Sequence, residues 1–306
     1  METLNFDILN IINGNLSYND IYHLSFINKY FYDMYKTNKK YIKSESLILY
    51  NYALKNNMFN IYNDINISFL QNKYEYPKPE HYKFIKYSTI NHNSECVTNY
   101  INLEVLKIID KIITEFSFLS CLKKLKKLQL HNTKINNIDF ISNLTNLEEL
   151  DIGYTQITNL EPLKYLINLK KLNLMKLNVN TLNIFKDMRL LEDLNMYGCT
   201  FDDNLNYDNI KDLINLKELC ISNTIKFNFD YLKYLINLNK LGISHTDIKD
   251  LEPITYLKRL NILYMMSIYN KLDLKPLLTL NNIKISVDKW HYNYELIINK
   301  HSVNNI

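Results

Sequence analysis

The sequence predicts an α/β repeat solenoid, built from short parallel strands with 3-10 or extended return segments and preceded by a small helical segment. One observation is a Leu-x-x-Leu-x-Leu pattern that returns through residues 102–287, enough for about nine coils. A second is its spacing, which is 22 residues at every step except one step of 25. The first leucines of the copies are Leu103, Leu125, Leu147, Leu169, Leu191, Leu216, Leu238 and Leu260. A set of amphipathic helices is the alternative, but a helical stripe has no reason to restart at a fixed interval.

Two residues of each strand are predicted to be buried, because side chains alternate between the two faces of a strand. In one copy Leu150 and Ile152 point inward, while Asp151 and Gly153 face outward. The equivalent inward pairs are Leu106/Ile108, Leu128/Leu130, Leu172/Leu174, Leu194/Met196, Leu219/Ile221, Leu241/Ile243 and Leu263/Met265. The last copy is out of step with the others and uses Leu280, Ile283 and Ile285.

The second half of each coil is predicted to return by an extended or 3-10 path. Threonine recurs in one slot after the strand, at Thr133, Thr155, Thr224 and Thr246. A hydroxyl in that slot can bond the backbone of the turn, whose polar groups would otherwise be buried unpaired. Apolar residues then follow at three-residue steps, as at Ile157, Leu160, Leu163 and Leu166, which fits a 3-10 period. Pro162 and Pro253 occupy matching places, where no ladder donor is needed.

The repeat, with its Leu-Glu-Pro-Leu return from Leu160, resembles the 22-residue class of leucine-rich repeat seen in internalin-like and related intracellular proteins. The resemblance implies a leucine-rich-repeat solenoid. One coil cannot bury its apolar side alone, so stability comes from stacking and both ends need covers. We expect a join and N-terminal cover in residues 37–101, and a C-terminal cover in residues 288–306, which hold Trp290.

The composition is that of an ordinary globular chain of 306 residues, 47% apolar and 22% charged, with a net charge of +4. No run reaches the roughly 18 apolar residues of a membrane span, and the start METLNFDILN does not match a secretory signal. The four cysteines, Cys96, Cys121, Cys199 and Cys220, show no metal-type pairing and are expected to be free thiols in a reducing compartment. We therefore expect a cytoplasmic protein with no membrane partner.

The residue usage points to an origin rather than a function. Asn, Ile, Lys and Tyr are abundant, with 25 tyrosines against 4 glycines. Since the favoured residues share AT-rich codons, an AT-rich genome is expected, such as that of a giant amoebal DNA virus, an apicomplexan or a social amoeba. For a viral source, the expected compartment is the host cytoplasm.

The first 36 residues have apolar side chains at helical spacing, interrupted between Gly14 and Asn19. Gly14 or Asn15 can end a first helix, and Ser17-x-x-Asp20 matches a capping box that opens a second. This stretch resembles the F-box, which implies binding to a Skp-type adaptor of a cullin ubiquitin ligase. The adaptor-binding positions that the resemblance implies are Leu4, Asp7, Ile8, Ile12, Leu16, Asp20, Ile21, Leu24, Ile27 and Phe31.

Three positions depart from the F-box pattern. Asn5 stands in place of Pro, Asp7 in place of Glu, and Asn28 in place of the frequent Cys. The missing proline would have formed a rigid N-terminal elbow. The alternative interpretation of this segment is a plain helical cap, rich in Leu and Ile, for the first coil.

No motif for catalysis, metal binding or a cofactor is present in the sequence. The glycines are too far apart for a phosphate loop, and the histidines and cysteines lack H-E-x-x-H and C-x-x-C spacings. Cys220 has no base nearby in sequence. The lysine cluster alternates with leucines, which favours a solvated repeat face over a nucleic-acid site. Its members are Lys123, Lys124, Lys126 and Lys127. We expect neither an enzyme nor a nucleic-acid partner.

The outward residues of the strands are expected to form the working surface, on a concave sheet. Charges of both signs alternate there with aromatic residues and methionine, which suits a protein partner. The candidate target-binding residues are Gln129, His131, Asp151, Tyr154, Asn173, Met175, Asn195, Tyr197 and Tyr264. Two functions follow: the substrate-recognition subunit of an SCF-type ubiquitin ligase, or a free-standing leucine-rich-repeat scaffold or inhibitor whose N-terminus is only a cap.

Overall fold

The computed structural model describes residues 87–90, 100–109, 113, 116–281 and 283–304, and of residues 87–90 only the backbone. The F-box-like segment 1–36 and most of the join 37–101 lie outside the described residues, so what the sequence predicts for them stays a prediction. The chain divides into two compact units, Met1–Ser88 and Thr89–Ile306. The second unit holds the repeats.

Eleven strands form one sheet in the described part of the chain, in the order of the sequence except that β6 and β8 are left out. The neighbouring strands from β2 onward pair in parallel. The strands of this sheet are β1 (Tyr87–Ile90), β2 (Val105–Ile108), β3 (Lys127–Gln129), β4 (Glu149–Asp151), β5 (Lys171–Asn173), β7 (Asp193–Asn195), β9 (Glu218–Cys220), β10 (Lys240–Gly242), β11 (Ile262–Met265), β12 (Lys284–Val287) and β13 (Ser302–Asn304). The remaining two, β6 (Asn178–Val179) and β8 (Thr200–Phe201), pair with each other.

The register places equivalent leucines of successive coils side by side. Leu128 is opposite Leu150, which is opposite Leu172, and each is at most 2% exposed. The predicted inward pairs are buried in every coil, so the inward assignment is confirmed. Burying a leucine side chain contributes roughly 1.5–3 kcal/mol, and each coil gains that contribution by stacking on its neighbours.

The last copy of the repeat is in step with the others, so the prediction that it is out of step was wrong. Leu263 pairs with Ile285, which continues the 22-residue spacing. In the sequence Asn282 stands at the position of the first leucine. Because that leucine is missing, the pattern did not show that this copy keeps the 22-residue spacing. Leu280 and Ile283, which had suggested a shifted repeat, are also buried.

The recurring threonines make the hydrogen bonds predicted for them. The hydroxyls of Thr133, Thr155, Thr224 and Thr246 each donate to the backbone carbonyl three residues earlier, over 2.5 to 2.7 Å. In the coil of β7 the slot holds Cys199, whose Sγ lies 3.0 Å from the carbonyl oxygen of Leu174 in the preceding coil. These bonds satisfy backbone carbonyls that are buried or part-buried in the turns.

A residue with left-handed backbone follows seven strands of the main sheet, which are β3, β4, β5, β7, β9, β10 and β11. Its N–H crosses to the next coil, as where Tyr154 donates to the carbonyl of Met175 at 2.8 Å. The positions are Asn132, Tyr154, Lys176, Gly198, Asn223, His245 and Ser267. Because these residues share no side-chain type, the sequence pattern did not reveal the slot.

The return half of each coil is a 3-10 helix, as predicted. These helices span Ser117–Cys121, Asp139–Asn143, Glu161–Tyr165, Asn183–Phe185, Asp208–Asp212, Phe229–Tyr234, Glu252–Tyr256 and Lys275–Thr279. A side-chain oxygen commonly starts the helix, as where Asn159 Oδ1 accepts the N–H of Glu161 at 3.0 Å. Pro162 and Pro253 lie in the first helical turn, where a missing N–H leaves no bond unmade.

A column of asparagines that the sequence analysis missed links the return segments. Each precedes a first leucine and donates from Nδ2 to a backbone carbonyl of the preceding coil, over 2.6 to 2.9 Å. The column consists of Asn146, Asn168, Asn215 and Asn237. The recurring Asn-Leu pair was the available signal, because the same type in one slot of each coil indicates a bond between coils.

The 25-residue coil holds its additional residues between β8 and the next 3-10 helix. That helix begins at Asp208, 15 residues after the start of β7, whereas the helix of the preceding coil begins 12 residues after the start of β5. Aromatic rings pack against the insertion, with the centroids of Tyr207 and Phe227 5.4 Å apart at nearly right angles. The insertion therefore enlarges the return side and leaves the strand register unchanged.

After β12 the chain forms a short α-helix, Tyr294–Ile298, and then β13, which extends the sheet in parallel. Tyr294 and Ile297 of the helix are buried. None of the helices in the described ranges is long and apolar enough to cross a bilayer.

Candidate functional site

The outward side chains of the repeat strands form three columns on the face predicted to be concave, called here the open sheet face. In the main sheet, the first residues of strands β3 to β10 form column one, with Lys127, Glu149, Lys171, Asp193, Glu218 and Lys240. The third residues form column two, with Gln129, Asp151, Asn173, Asn195, Cys220, Gly242 and Tyr264. Column three lies just past the strand ends, with His131, Gly153, Met175, Tyr197, Ser222 and Ser244. Side-chain alternation and the in-register pairing together produce the columns.

Column one is electrically balanced, with three lysines and three carboxylates. Lys127 Nζ lies 2.5 Å from Glu149 Oε2, and Lys240 Nζ lies 3.2 Å from Glu218 Oε2. Asp193 is opposite Glu218 in the register, and burial, followed by the Glu218 charge, raises the pKa of Asp193. Exposed pairs of this kind contribute little stability each. From β3 to β10, the charges of column one therefore sum to zero.

Column two has a structural role that the sequence analysis did not foresee. Asn173 Oδ1 accepts the N–H of Met175 at 3.1 Å, and Asn195 Oδ1 accepts the N–H of Tyr197 at 3.0 Å. Asp151 caps the end of its own strand in the same way, at 3.0 Å. Since the amide oxygens are engaged, the two asparagines present their Nδ2 groups to a partner, and an amide nitrogen only donates.

His131, Asp151 and Tyr154 lie together beside the end of β4. Nδ1 of His131 is 3.2 Å from Asp151 Oδ1, and its ring meets the Tyr154 ring edge-on at 5.2 Å. Tyr154 belongs to the turn after the strand, with φ of 55°, and is 44% exposed. Gly153 faces this cluster but is buried under it, because a Cβ there would lie 2.9 Å from Met175 Cβ and 3.1 Å from His131 Nδ1.

The other predicted anchors lie apart from that cluster. Met175 and Tyr197 are half-buried neighbours in column three, and Lys176 Nζ lies 5.5 Å from the centroid of the Tyr197 ring. Tyr264 is 41% exposed, and β9 and β10 separate its strand from β7. The structure therefore brings eight of the nine predicted target-binding residues to strands β3 to β7 and the turns after them, and leaves Tyr264 isolated.

A shallow depression on the open sheet face joins strands β3, β4, β5 and β7. Its side chains combine four predicted target-binding residues with four charged residues of column one. They are Gln129, Asp151, Asn173, Asn195, Lys127, Glu149, Lys171 and Asp193. The sequence predicts an outward position for all eight, but only the first four were assigned to target binding, because a sequence does not show which outward charges border a depression.

Two features of the repeats bear on the chemistry of metals and thiols. Within the ranges that the structure describes, no three His, Cys, Asp or Glu side chains are grouped as a metal site would require. Burial raises the pKa of the Cys199 thiol to about 12, so this cysteine stays protonated at neutral pH. The open sheet face offers amide donors, paired charges and aromatic rings to a partner.

A family model described as Leucine Rich repeats (2 copies) matches residues 123–165. No curated protein matches the chain significantly. Among solved structures, an internalin of Listeria monocytogenes is similar with a TM-score of 0.63 and 25% identity, over 78% of this chain and 72% of the internalin chain. A leucine-rich-repeat protein of Leptospira interrogans is similar with a TM-score of 0.59 and 23% identity, over 74% of this chain and 57% of that one.

A third similar structure is that of TLR13 in complex with ssRNA13. Its TM-score is 0.52 and its identity 19%, over 78% of this chain and 43% of that chain. An identity this low shows a shared fold alone. The register, the 3-10 returns and these similarities agree on the architecture: the described part of the chain is a leucine-rich-repeat solenoid.

Proposed function

We propose that this chain is the substrate-recognition subunit of an SCF-type ubiquitin ligase in the cytoplasm, holding a target protein on the open sheet face and a Skp-type adaptor on residues 1–36. The observation that supports target binding is the open sheet face, where polar and aromatic side chains lie beside the balanced charges of column one. The adaptor half of the proposal depends on the F-box resemblance of residues 1–36. The transfer chemistry would belong to partner proteins, and this chain would act by bringing the target near them.

The side chains of the open sheet face suit a protein target. Asn173 and Asn195 can donate to backbone carbonyls or carboxylates of a partner, because their oxygens already bond this chain. Tyr197 and Tyr264 offer the large rings that carry much of the energy in protein interfaces. A surface with both features can hold a partner by its backbone and select it by its side chains.

A nucleic-acid partner fits this face less well. Binding to phosphates depends on an excess of positive charge, whereas column one carries equal numbers of lysines and carboxylates. The neighbouring lysines are compensated too, since Lys170 pairs with Glu148 at 2.7 Å and Lys217 with Glu192 at 2.9 Å. A protein target therefore fits this face better than a nucleic acid does.

The adaptor is tested by Leu24→Asp together with Ile27→Asp in the full-length chain. If residues 1–36 dock an adaptor through their apolar side, two carboxylates there should abolish co-precipitation with the host's Skp-type adaptor, since burying unpaired charge is costly. Ser25→Asp with Asn28→Asp is the matched control, because it adds the same charge at positions outside the adaptor-binding set. Melting curves of all variants should coincide.

The outcomes separate the two functions. Lost binding with unchanged melting supports the ligase subunit. Unchanged binding, or none in the wild type, rejects it in favour of a free-standing scaffold or inhibitor. A lowered melting temperature would show that residues 1–36 act as a cap, because an uncovered terminal repeat destabilises its neighbours.

Target capture is tested by Tyr197→Ala, with Tyr256→Ala as the control on the return side. Tyr256 is 53% exposed, so the two changes remove the same side chain from different surfaces. Loss of an anchor costs about 2 kcal/mol or more, a roughly 30-fold drop in affinity. Proximity labelling in producing cells should therefore recover the target with Tyr256→Ala and lose it with Tyr197→Ala. The reverse pattern would place the target on the return side.

A further inference from the structure

Residues 288–304 contain two buried histidines, one on each side of the helix Tyr294–Ile298. His291 is 4% exposed and His301 is 6% exposed. Each ring contacts backbone of the coil before it, and each therefore ties the C-terminal segment to the last repeats. Of the other histidines, the structure describes His131 and His245, and both are exposed.

His301 uses both ring nitrogens to hold the segment. The N–H of Ile283 donates to Nδ1 over 3.3 Å, and Nε2 lies 3.1 Å from the carbonyl oxygen of Leu277. One neutral tautomer satisfies both contacts, with Nδ1 accepting and Nε2–H donating. A second proton would sit on Nδ1 and face the N–H of Ile283, so the charged ring cannot keep the first bond.

His291, like His301, accepts a backbone hydrogen bond at Nδ1. The N–H of Leu272 donates to its Nδ1 over 3.2 Å. Its Nε2 is buried and has no hydrogen-bond partner among the described residues. A second proton here would sit on Nδ1 and face the N–H of Leu272, so the charged ring cannot keep that bond. It would also place positive charge on a ring whose Nε2 is buried.

Burial has a larger effect on the pKa of each ring than the surrounding charges have. Burial lowers the pKa of His291, with Asp288 raising it and Lys271 lowering it. Burial also lowers the pKa of His301, where the Leu277 carbonyl raises it and Lys300 lowers it. The Trp290 ring packs on His291 with centroids 4.2 Å apart, which favours the charged form only weakly.

We propose that protonation of His291 and His301 in mild acid releases residues 288–304 from the last repeats and uncovers strand β12. Released, the segment would expose Ile285 and the unpaired edge of β12, a surface to which another strand can add. Residues 288–304, held against the last repeats by neutral His291 and His301, are called the C-terminal clasp.

The direction in which pH changes the stability of the closed segment follows from proton binding. Both rings have a folded pKa below the unfolded value of about 6.5, so the open segment binds more protons than the closed one. The closed state is therefore at full stability above about pH 6.5 and loses stability as the pH falls from there toward the folded pKa values. A basic solution should have no such effect on these two groups.

Hydrogen exchange of the full 306-residue chain, read by mass spectrometry at pH 7.5 and pH 5.0, tests the clasp. After correction for intrinsic rates, protection in residues 284–304 should fall about tenfold or more at pH 5.0, and residues 149–195 should stay within about twofold. His291→Asn with His301→Asn should remove the effect, because Asn Oδ1 can take the place of Nδ1 as an acceptor and does not titrate. His245→Asn, at an exposed histidine outside the target-binding set, should leave the wild-type response intact.

Two results overturn the proposal. One is unchanged protection of residues 284–304 in the wild type, and the other is an equal loss of protection in the double variant. Should the double variant already be open at pH 7.5, an NMR titration of the wild-type rings decides. Both rings should then titrate below about 6.5, at the pH where protection is lost. A ring that titrates at or above that value rejects the clasp.

Discussion

At the scale of single residues, one side-chain oxygen can supply the hydrogen bond that a backbone group in a turn of the repeat needs. The hydroxyl of Thr224 bonds the carbonyl of Ile221, and the amide oxygen of Asn195 bonds the N–H of Tyr197. The first bond is buried and the second is part-buried, so a missing bond leaves a backbone group with reduced access to water unpaired. Polar residues of the repeat therefore stabilise the turns, whether or not they also contact a partner.

Replacing Thr224 by Val should destabilise the chain by about 1–3 kcal/mol, because the shape is kept and the carbonyl of Ile221 loses its donor. Thr200→Val is the control, since the Thr200 hydroxyl is exposed and bonds Asn178 Oδ1 at 3.0 Å. That change should cost no more than about 0.5 kcal/mol. Urea unfolding measures both. Equal costs would show that the threonine slot is not a structural hydrogen bond.

Asn195 can be changed in a way that separates its two roles. Asn195→Asp keeps an oxygen for the Tyr197 N–H and should stay within about 0.5 kcal/mol of the wild type, whereas Asn195→Ala should cost about 1 kcal/mol. The Asp variant also removes both Nδ2 donors. A loss of target binding by a stable Asp variant would assign the donors to the partner. An Asp variant as unstable as the Ala variant would contradict the capping role.

The residue types that recur in one slot were readable from the sequence, and those that do not recur were not. Threonine returned at a fixed spacing, so its bond to the turn could be predicted. The left-handed slot holds Tyr154, Lys176 and Gly198 among others, and no shared chemistry marked it. The burial of Gly153 depends on the neighbouring His131 and Met175, which only the stacked coils bring together.

At the scale of elements, the strand and its return were predicted because each has its own period. Leucines alternating at two residues indicated the strand, and apolar residues at three-residue steps indicated the 3-10 helix. The pairing of β6 with β8 was missed, since two-residue strands carry no period. The step of 25 residues was seen as a change in spacing, and only the structure placed its additional residues beyond β8.

Within one strand, the two faces should respond very differently to substitution. Leu172 is 2% exposed, so Leu172→Asp buries an unpaired carboxylate at a cost of several kcal/mol. Lys171 next to it points outward, and Lys171→Ala should change stability by roughly 0.5 kcal/mol or less. Thermal melting measures the contrast. Similar melting temperatures for the two variants would refute the assignment of inward and outward faces.

At the scale of the whole molecule, each coil contacts mainly the coils before and after it. Leu128 packs beside Leu150, while strands β4, β5, β7, β9 and β10 lie between β3 and the strand of Leu263. Stability should therefore be a sum of coils and nearest-neighbour contacts. Coupling between two buried sites should depend on how many strands separate them.

A pair of double-mutant cycles tests that dependence. Each Leu→Ala change alone should cost about 2–5 kcal/mol. Leu128→Ala with Leu150→Ala removes both sides of one contact, so the combined cost should differ from the sum by about 0.5 kcal/mol or more. Leu128→Ala with Leu263→Ala removes two separate contacts, and their costs should add within about 0.5 kcal/mol. Urea unfolding of the six proteins of the two cycles gives both values. Strong coupling of the distant pair would mean that the repeats respond as one block, and the effect of a bound target on one coil would then reach every other.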